Sequence, residues 1–495
     1  VILVTISALL AVVYFLVVAG LAVYGFNALF LSGLFLWHRR RRPEVPKLDV
    51  WPSVTVQLPI FNERFVAERL IDAMASLDYP RHRLSIQVLD DSTDETVSLA
   101  RARVAYHQAR GVNIYYLRRK ERTGFKAGAL AYGLTVAPGE FIAIFDADFV
   151  PPSDFLRRVM PHFADSRVGM VQARWGHLNA EYSPLTRAQA LALDGHFIVE
   201  QTARSRAGLL MNFNGSAGVW RRACIEDAEG WQADTVAEDL DLSYRAQLAG
   251  WQLRYLPNVV APAEVPPLLM AFKRQQFRWA KGSIQCLRKL GGRLLRASLS
   301  PWRKVQGLLH LSGYLIHPLM LALMLVGLPV ILTRHPGTLP LSALGLAGFA
   351  PPVVFALSQW AVYPDWGRRF AYFPFLVLLG AGVAVNNTWA VFEALARRNP
   401  TLFLRTPKFQ AEGCDAGRMR QATDYGLPVD WTTWGELALA VYCFIETLVA
   451  VSRAPGLVPF LATYALGYAY TAGLGLWQSW GPLRPRAVSG EAEAW

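Results

Sequence analysis

Cysteine is scarce in this chain. Four residues in 495, at positions 224, 286, 414 and 443, are widely spaced and form no Cys-x-x-Cys pair. That excludes a disulfide framework and a zinc site of ordinary spacing. Charge is scarce as well: Asp, Glu, Lys and Arg make up 18%, against 53% hydrophobic residues, and the mean hydropathy is positive. These values exclude both an ordinary soluble enzyme and a pure membrane bundle. They suit a hybrid of two structural regions.

Negative charge is the minority, with 37 acidic against 50 basic residues and a net charge of +13. A soluble basic patch would point to nucleic acid. Here the cations flank apolar runs instead, as in His38-Arg39-Arg40-Arg41-Arg42 after the first run and Arg397-Arg398 after another. That is the pattern of cytoplasmic membrane anchors, so no nucleic-acid partner is expected. The chain opens on Val1. Its first apolar run is too long for a signal-peptide core and lacks a cleavage site.

Residues 1–42 are expected to form a spanning helix and its basic anchor, since a span needs roughly 20 apolar residues. From Trp51 to about Pro262 the texture changes to short β-rich runs alternating with helical patterns. Strands are expected at Val54–Leu58, Leu84–Leu89, Val112–Leu117, Phe141–Phe145 and Val168–Ala173, with helices between them at Asp94–Arg110 and Asp154–Phe163. Such alternation predicts an α/β domain over 50–262, with a mostly parallel sheet covered by helices on both faces. Ligands on these sheets sit beyond the carboxyl ends of the strands. The acidic clusters fall there.

An amphipathic segment from Leu268 to about Leu295 suits an in-plane interfacial helix within 263–304. Apolar hairpins are expected over 305–363 and 431–480, with a short tail over 481–495. The run 371–396 is read as lying in the interface, within 364–430. Spanning would place Arg397, Arg398, Arg405 and Lys408 outside, against the positive-inside tendency. Five spans with the C-terminus inside follow.

Five constellations carry chemistry. Asp146-Ala147-Asp148 at a strand end offers carboxylates at i and i+2, suited to a hard cation and a diphosphate. In Asp90-Asp91-Ser92-Thr93-Asp94, helix capping and nucleotide contact can coexist. Lys126 reads as a phosphate contact or a surface lysine. Glu238-Asp239-Leu240-Asp241 offers a base for an acceptor hydroxyl, or acids complementing a helix dipole. In Gln275-Gln276-Phe277-Arg278-Trp279, Arg278 can clamp a diphosphate and Trp279 can stack on a sugar face; anchoring at a membrane interface competes.

Taken in order, PIFNE at 59–63, LDDSTD at 89–94, FDADF at 145–149, EDLD at 238–241 and QQFRW at 275–279 resemble the cellulose-synthase-like family-2 glycosyltransferases. In detail they are similar to mannan- and glucan-synthase members and their bacterial relatives. Supporting stretches are residues 111–130, VQARW at 171–175, LDGHFIVEQ at 193–201 and FNGSAGVWR at 213–221. The resemblance implies a GT-A type nucleotide-sugar domain inserted into a helical membrane region. It gives Asp90, Asp91, Lys126, Asp146, Asp148 and Arg278 to the donor, and Asp146 and Asp148 to a Mg2+ or Mn2+ ion. Asp239, with Glu238, is the expected base, although Ala237 stands where the family has Thr. Gln275, Trp279, Asn214, Gly215 and Ser216 fall at the acceptor. Residues 403–408 resemble the family's FxVTxK gating loop with Arg405 replacing Val, which adds Thr406 and Lys408 to the donor site; a basic loop binding lipid headgroups is the competing reading.

The partners so implied are a nucleotide-sugar (GDP-mannose or UDP-glucose), a glycan acceptor and membrane lipids, with a homo-oligomer left open. The implied place is a bacterial inner membrane or its equivalent, with the active site cytoplasmic. A processive β-1,4 polysaccharide synthase is the leading expectation, and a lipid glycosyltransferase adding one sugar is the alternative.

Overall fold

The computed structural model describes residues 2–40, 45–48, 50–333, 342–396, 408 and 429–480. Its strands are β1 (Val54–Ile60), β2 (Leu84–Asp90), β3 (Ile114–Leu117), β4 (Phe141–Ile144), β5 (Val168–His177), β6 (Gly218–Arg221) and β7 (Gln252–Ala263). They make one seven-stranded sheet in the order β3-β2-β1-β4-β6-β5-β7. Every neighbouring pair is parallel except those of β6, which runs against both β4 and β5. This is the mostly parallel sheet that the alternating pattern predicts.

Two strands escape the sequence reading, and β5 runs four residues past its expected end at Ala173. β6 is only four residues long, too short to show a period. β7 contains Pro257 and Pro262, which break the apparent pattern, and it lies at the sheet edge, where missing N–H groups are tolerated.

Side-chain alternation gives the sheet two buried faces. Along β4, Phe141 and Ala143 enter one core with Val54, Val56, Ile86 and Val88, while Ile142 and Ile144 enter the other with Met170 and Trp220. A strand buried on both faces reads as a continuous apolar run, and FIAIF is one.

Outside this domain, among the described residues, five helical stretches are long and apolar enough to cross a membrane: Thr5–His38, Gly313–Thr333, Ala343–Val362, Trp431–Arg453 and Pro455–Ser479. Leu9, Leu16, Val441, Phe444 and Leu448 on them are exposed, as lipid-facing side chains would be. The chain is a membrane protein. The pair Trp366–Gly382 and Ala384–Ala396, bent by 43°, would make a sixth span if it crosses as one unit. The sequence places that stretch in the interface.

The expected amphipathic segment is a 28-residue helix, Leu269–Arg296. Two of the lysines that make it look amphipathic are buried rather than solvated. Lys273 Nζ lies 2.8 Å from Glu436 and 3.1 Å from Asp430, while Lys281 Nζ lies 3.0 Å from Glu393. Glu436 and Glu393 belong to helices Trp431–Arg453 and Ala384–Ala396. A buried ammonium is costly unless paired, so these contacts fix the helix against the apolar bundle.

Candidate active site

The carboxyl ends of the strands open into a cavity of about 190 Å³. It is lined by Asp91, Lys126, Asp146, Asp148, Asn214, Gly215, Glu238, Asp239, Gln275, Arg278, Trp279 and Lys408. Residues separated by more than 300 positions in sequence therefore share one wall.

Beyond the end of β4, Phe145, Ala147 and Phe149 pack in the core next to Phe155 and Trp175, while Asp146 and Asp148 reach the cavity. Asp146 Oδ1 is 2.5 Å from Lys126 Nζ, and Asp148 Oδ2 is 2.6 Å from Lys408 Nζ. Asp148 Oδ1 is buried with no hydrogen-bond partner among the described residues. An unclaimed carboxylate oxygen beside a second carboxylate fits a hard divalent cation. Among the described residues no cluster of three or more His, Cys, Asp or Glu exists that could hold a metal. Phosphate oxygens of a bound nucleotide would therefore have to complete the shell.

Lys126 enters the cavity from the first turn of helix Phe125–Thr135, after two left-handed residues, Gly124 (φ +68°) and Phe125 (φ +49°). Its Nζ also donates to the Gly215 carbonyl at 2.9 Å. Burial opposes its charge, but Asp146 and Glu238 outweigh burial and raise its pKa. Asn62, Phe125 and Ala217, three of the four non-glycine residues with positive φ among the described residues, lie within two positions of wall residues Phe61, Lys126 and Gly215 in the chain. Backbone strain of that kind concentrates at functional sites.

Glu238 and Asp239 open helix Glu238–Leu248. Burial, then the neighbouring Glu238 charge, push the Asp239 carboxyl up to about 7, against the pull of Lys126. Asp239 Oδ1 also accepts the Leu240 N–H at 2.8 Å. The loop before it is sewn to the Leu269–Arg296 helix: the Val236 N–H donates to Gln285 at 2.9 Å, and a Cβ on Gly282 would lie 2.5 Å from that of Ala237. Only glycine lets the helix approach this closely. On that helix Gln275, Arg278 and Trp279 sit at i, i+3 and i+4, hence on one face toward the cavity. Burial lowers the pKa of Arg278, while Glu238, Asp146 and Asp239 support its charge.

Two expected site residues stand behind the wall rather than on it. The Asp90 carboxylate is fully buried, accepting from Ser92 N–H at 2.9 Å and the Tyr116 hydroxyl at 2.7 Å. Asp91 takes the cavity position, held by both arms of Arg119. Ser216 is fully buried too; its Oγ accepts the Asp146 N–H at 2.9 Å and its carbonyl accepts Trp175 Nε1–H at 3.2 Å. It shapes the acidic loop instead of meeting a ligand. Thr406 lies outside the described residues, as does the rest of the 403–408 motif except Lys408.

Other wall residues were not singled out from the sequence, among them Glu63, Arg122, Trp175, His177 and Glu264. Trp175 and His177 lie at the end of β5 and Glu264 follows the end of β7. The strand-end rule that located Asp91 and Asp146 would have found them had the two strands been drawn to their true ends.

Residues 52–282 match the family model described as glycosyltransferase like family 2. They are a family-2 glycosyltransferase domain. Among curated relatives, glucomannan 4-beta-mannosyltransferase 1 of Oryza sativa subsp. japonica is 40% identical over 297 residues, 57% of this chain and 57% of the relative. Glucomannan 4-beta-mannosyltransferase 2 of Arabidopsis thaliana is 43% identical over 261 residues, 52% of this chain and 49% of the relative. The chain thus spans about half the length of the curated relatives it matches. A solved mannosyltransferase from Pyrobaculum calidifontis, in complex with GDP-Man and Mn2+, superposes with a TM-score of 0.54 at 24% identity, covering 78% of this chain and 99% of its own. That likeness establishes the GT-A fold of the glycosyltransferase domain.

Proposed function

We propose that this chain is a membrane-bound inverting hexosyltransferase. In this reading it moves hexosyl units from GDP-mannose or UDP-glucose to a growing β-1,4-linked polysaccharide and extrudes the product through its helices. The observation that carries the reading is the meeting of Asp91, Asp146, Asp148, Asp239, Arg278 and Trp279 around one cavity. The similarity to glucomannan 4-beta-mannosyltransferases favours a β-linked glycan over a single-sugar product.

The chemistry follows from the side chains. Asp239 takes the proton from the acceptor hydroxyl as that oxygen attacks the anomeric carbon. The bond from that carbon to the phosphate oxygen breaks, and the nucleoside diphosphate leaves with the electron pair. Attack from the opposite face turns an α-linked donor into a β linkage. Lys126, Arg278 and Lys408 lie where the departing negative charge needs compensation. A Mg2+ or Mn2+ ion held by Asp148 and Asp146 would supply further charge compensation there. Trp279 offers its ring to the acceptor sugar. Asp91, fixed by Arg119, is placed for the nucleoside. In the cell the cavity faces the cytoplasm.

The test is product size. Purified protein in lipid discs is given radiolabelled GDP-mannose, UDP-glucose, UDP-galactose and UDP-N-acetylglucosamine in turn, followed by linkage analysis. A β-1,4 polymer from one or two of these donors is expected. One sugar on an extractable lipid would overturn the polymerising part of the reading.

A further inference from the structure

The order of strands divides the cavity into two halves. Asp91, Asp146 and Asp148 follow β2 and β4, and Lys126 follows β3, so the charged half lies at one side of the sheet. Trp175, His177 and Glu264 follow β5 and β7, which form the opposite edge. These last three take no part in the chemistry derived above.

Each is held in a way that leaves one function unspent. Glu264 Oε1 accepts from Arg69 at 2.6 Å, while Oε2 is buried with no hydrogen-bond partner among the described residues. An orphaned carboxylate oxygen is costly and is relieved by any donor that reaches it. His177 Nε2 lies 3.0 Å from Asp194 Oδ1. Burial disfavours the Asp194 charge, yet His177 and Gln359 outweigh it and keep its pKa low, so the carboxylate only accepts. The imidazole Nε2–H therefore points at Asp194, leaving Nδ1 outside that contact. The indole N–H of Trp175 is committed to the Ser216 carbonyl, so the ring offers only apolar surface. A buried carboxylate oxygen and an imidazole nitrogen beside an indole call for a neutral ring rich in hydroxyls. The carboxylate repels phosphate, which Lys126, Arg278 and Lys408 attract.

Building on the glycosyltransferase reading, we propose that Trp175, His177 and Glu264 form a subsite for a neutral pyranose of the glycan acceptor. Glu264 Oε2 accepts a hydrogen bond from one of its hydroxyls, His177 Nδ1 bonds another, and Trp175 covers its C–H face. The Glu264 charge makes the subsite reject uronic acids. Asp194 is a positioning residue: it orients His177 and is itself held by Gln359 Nε2 at 3.0 Å and the Tyr363 hydroxyl at 3.4 Å.

The test uses the full chain in lipid discs with Mn2+, β-1,4-linked mannotetraose as the acceptor probe and GDP-mannose as the donor. Calorimetry measures binding of each alone, and kinetics give acceptor KM and kcat. His177→Ala and Glu264→Gln are each expected to weaken mannotetraose binding and raise its KM about tenfold, with donor affinity unchanged. Should Glu264→Gln fail to fold after losing the charged contact to Arg69, His177→Ala carries the test alone. Unchanged mannotetraose binding, or weakened donor binding instead, overturns the subsite. If the parent protein binds mannotetraose through these residues but transfers no sugar from any donor, the functional reading fails while the subsite stands.

Discussion

A Cβ on Gly215 would lie 3.0 Å from Asp239 Oδ2 and 3.4 Å from Lys126 Nζ, and Gly215 itself adopts φ +82°. The proposed base and a neighbouring cation thus press against bare backbone. Gly215→Ala should cost about 1–2 kcal/mol of stability from the left-handed backbone. It should also lower kcat by crowding the base, with little change in donor affinity. Thermal unfolding beside steady-state kinetics separates the two effects, and unaltered kcat would show that the glycine serves only the turn.

Asp239→Asn removes the proton acceptor while keeping size and polarity. Transfer should fall by roughly 10²–10⁴-fold. Donor binding, measured by calorimetry, should persist. A variant that loses donor affinity and turnover in parallel would place Asp239 among the donor ligands instead.

Acidity bears on the same carboxyl. Because burial and Glu238 raise Asp239 to about 7, it is protonated and unable to accept a proton below that pH. The ratio kcat/KM, which reports the free enzyme, should climb as pH rises through about 7. Glu238→Gln removes the second cause of the shift, so the acid limb should move to lower pH. A limb that stays fixed in that variant would assign the titration to another group.

Asp148 presents its unclaimed Oδ1 beside Asp146. Asp148→Ala should abolish the gain in donor affinity that Mn2+ or Mg2+ confers, and should weaken Mn2+ binding seen by electron paramagnetic resonance. Equal donor affinity with and without the substitution in Mn2+ would remove the metal role.

Lys273 is 1% exposed between Glu436 and Asp430. Lys273→Met leaves buried carboxylates without their cation, and breaking such a pair costs about 3–5 kcal/mol. The apparent melting temperature in detergent should drop, and pairing the change with Glu436→Leu should recover part of the loss. No drop in the single variant would mean the site relaxes to admit water.

The sequence was most legible where burial imposes a period. β4 is covered on both faces and reads as an apolar run, while β1 and β2 alternate, their Thr55, Gln57, Ser85 and Gln87 buried as hydrogen-bonded pairs; the acids beyond β2 and β4 mark the ligand edge. β6 and β7 were hidden for opposite reasons: one is too brief to repeat, the other carries two prolines that only an edge position permits. Asp90 and Asp91 look alike on paper, yet one carboxylate is saturated by Ser92 and Tyr116 while its neighbour faces the cavity. Their roles are set by β2 pointing successive side chains to opposite sides. Lys273 and Lys281 read as the polar side of an amphipathic interfacial helix because their acidic partners come from helices more than 100 residues away.

Those two lysines also bear on how the molecule can be taken apart. The matched catalytic segment ends at residue 282, so cutting there would keep both ammonium groups and discard Glu393, Asp430 and Glu436. A soluble excised enzyme would expose the greasy side of a broken helix and strip both lysines of these acids. Swapping this catalytic head onto another bundle would succeed only if the recipient brought acids to the same heights.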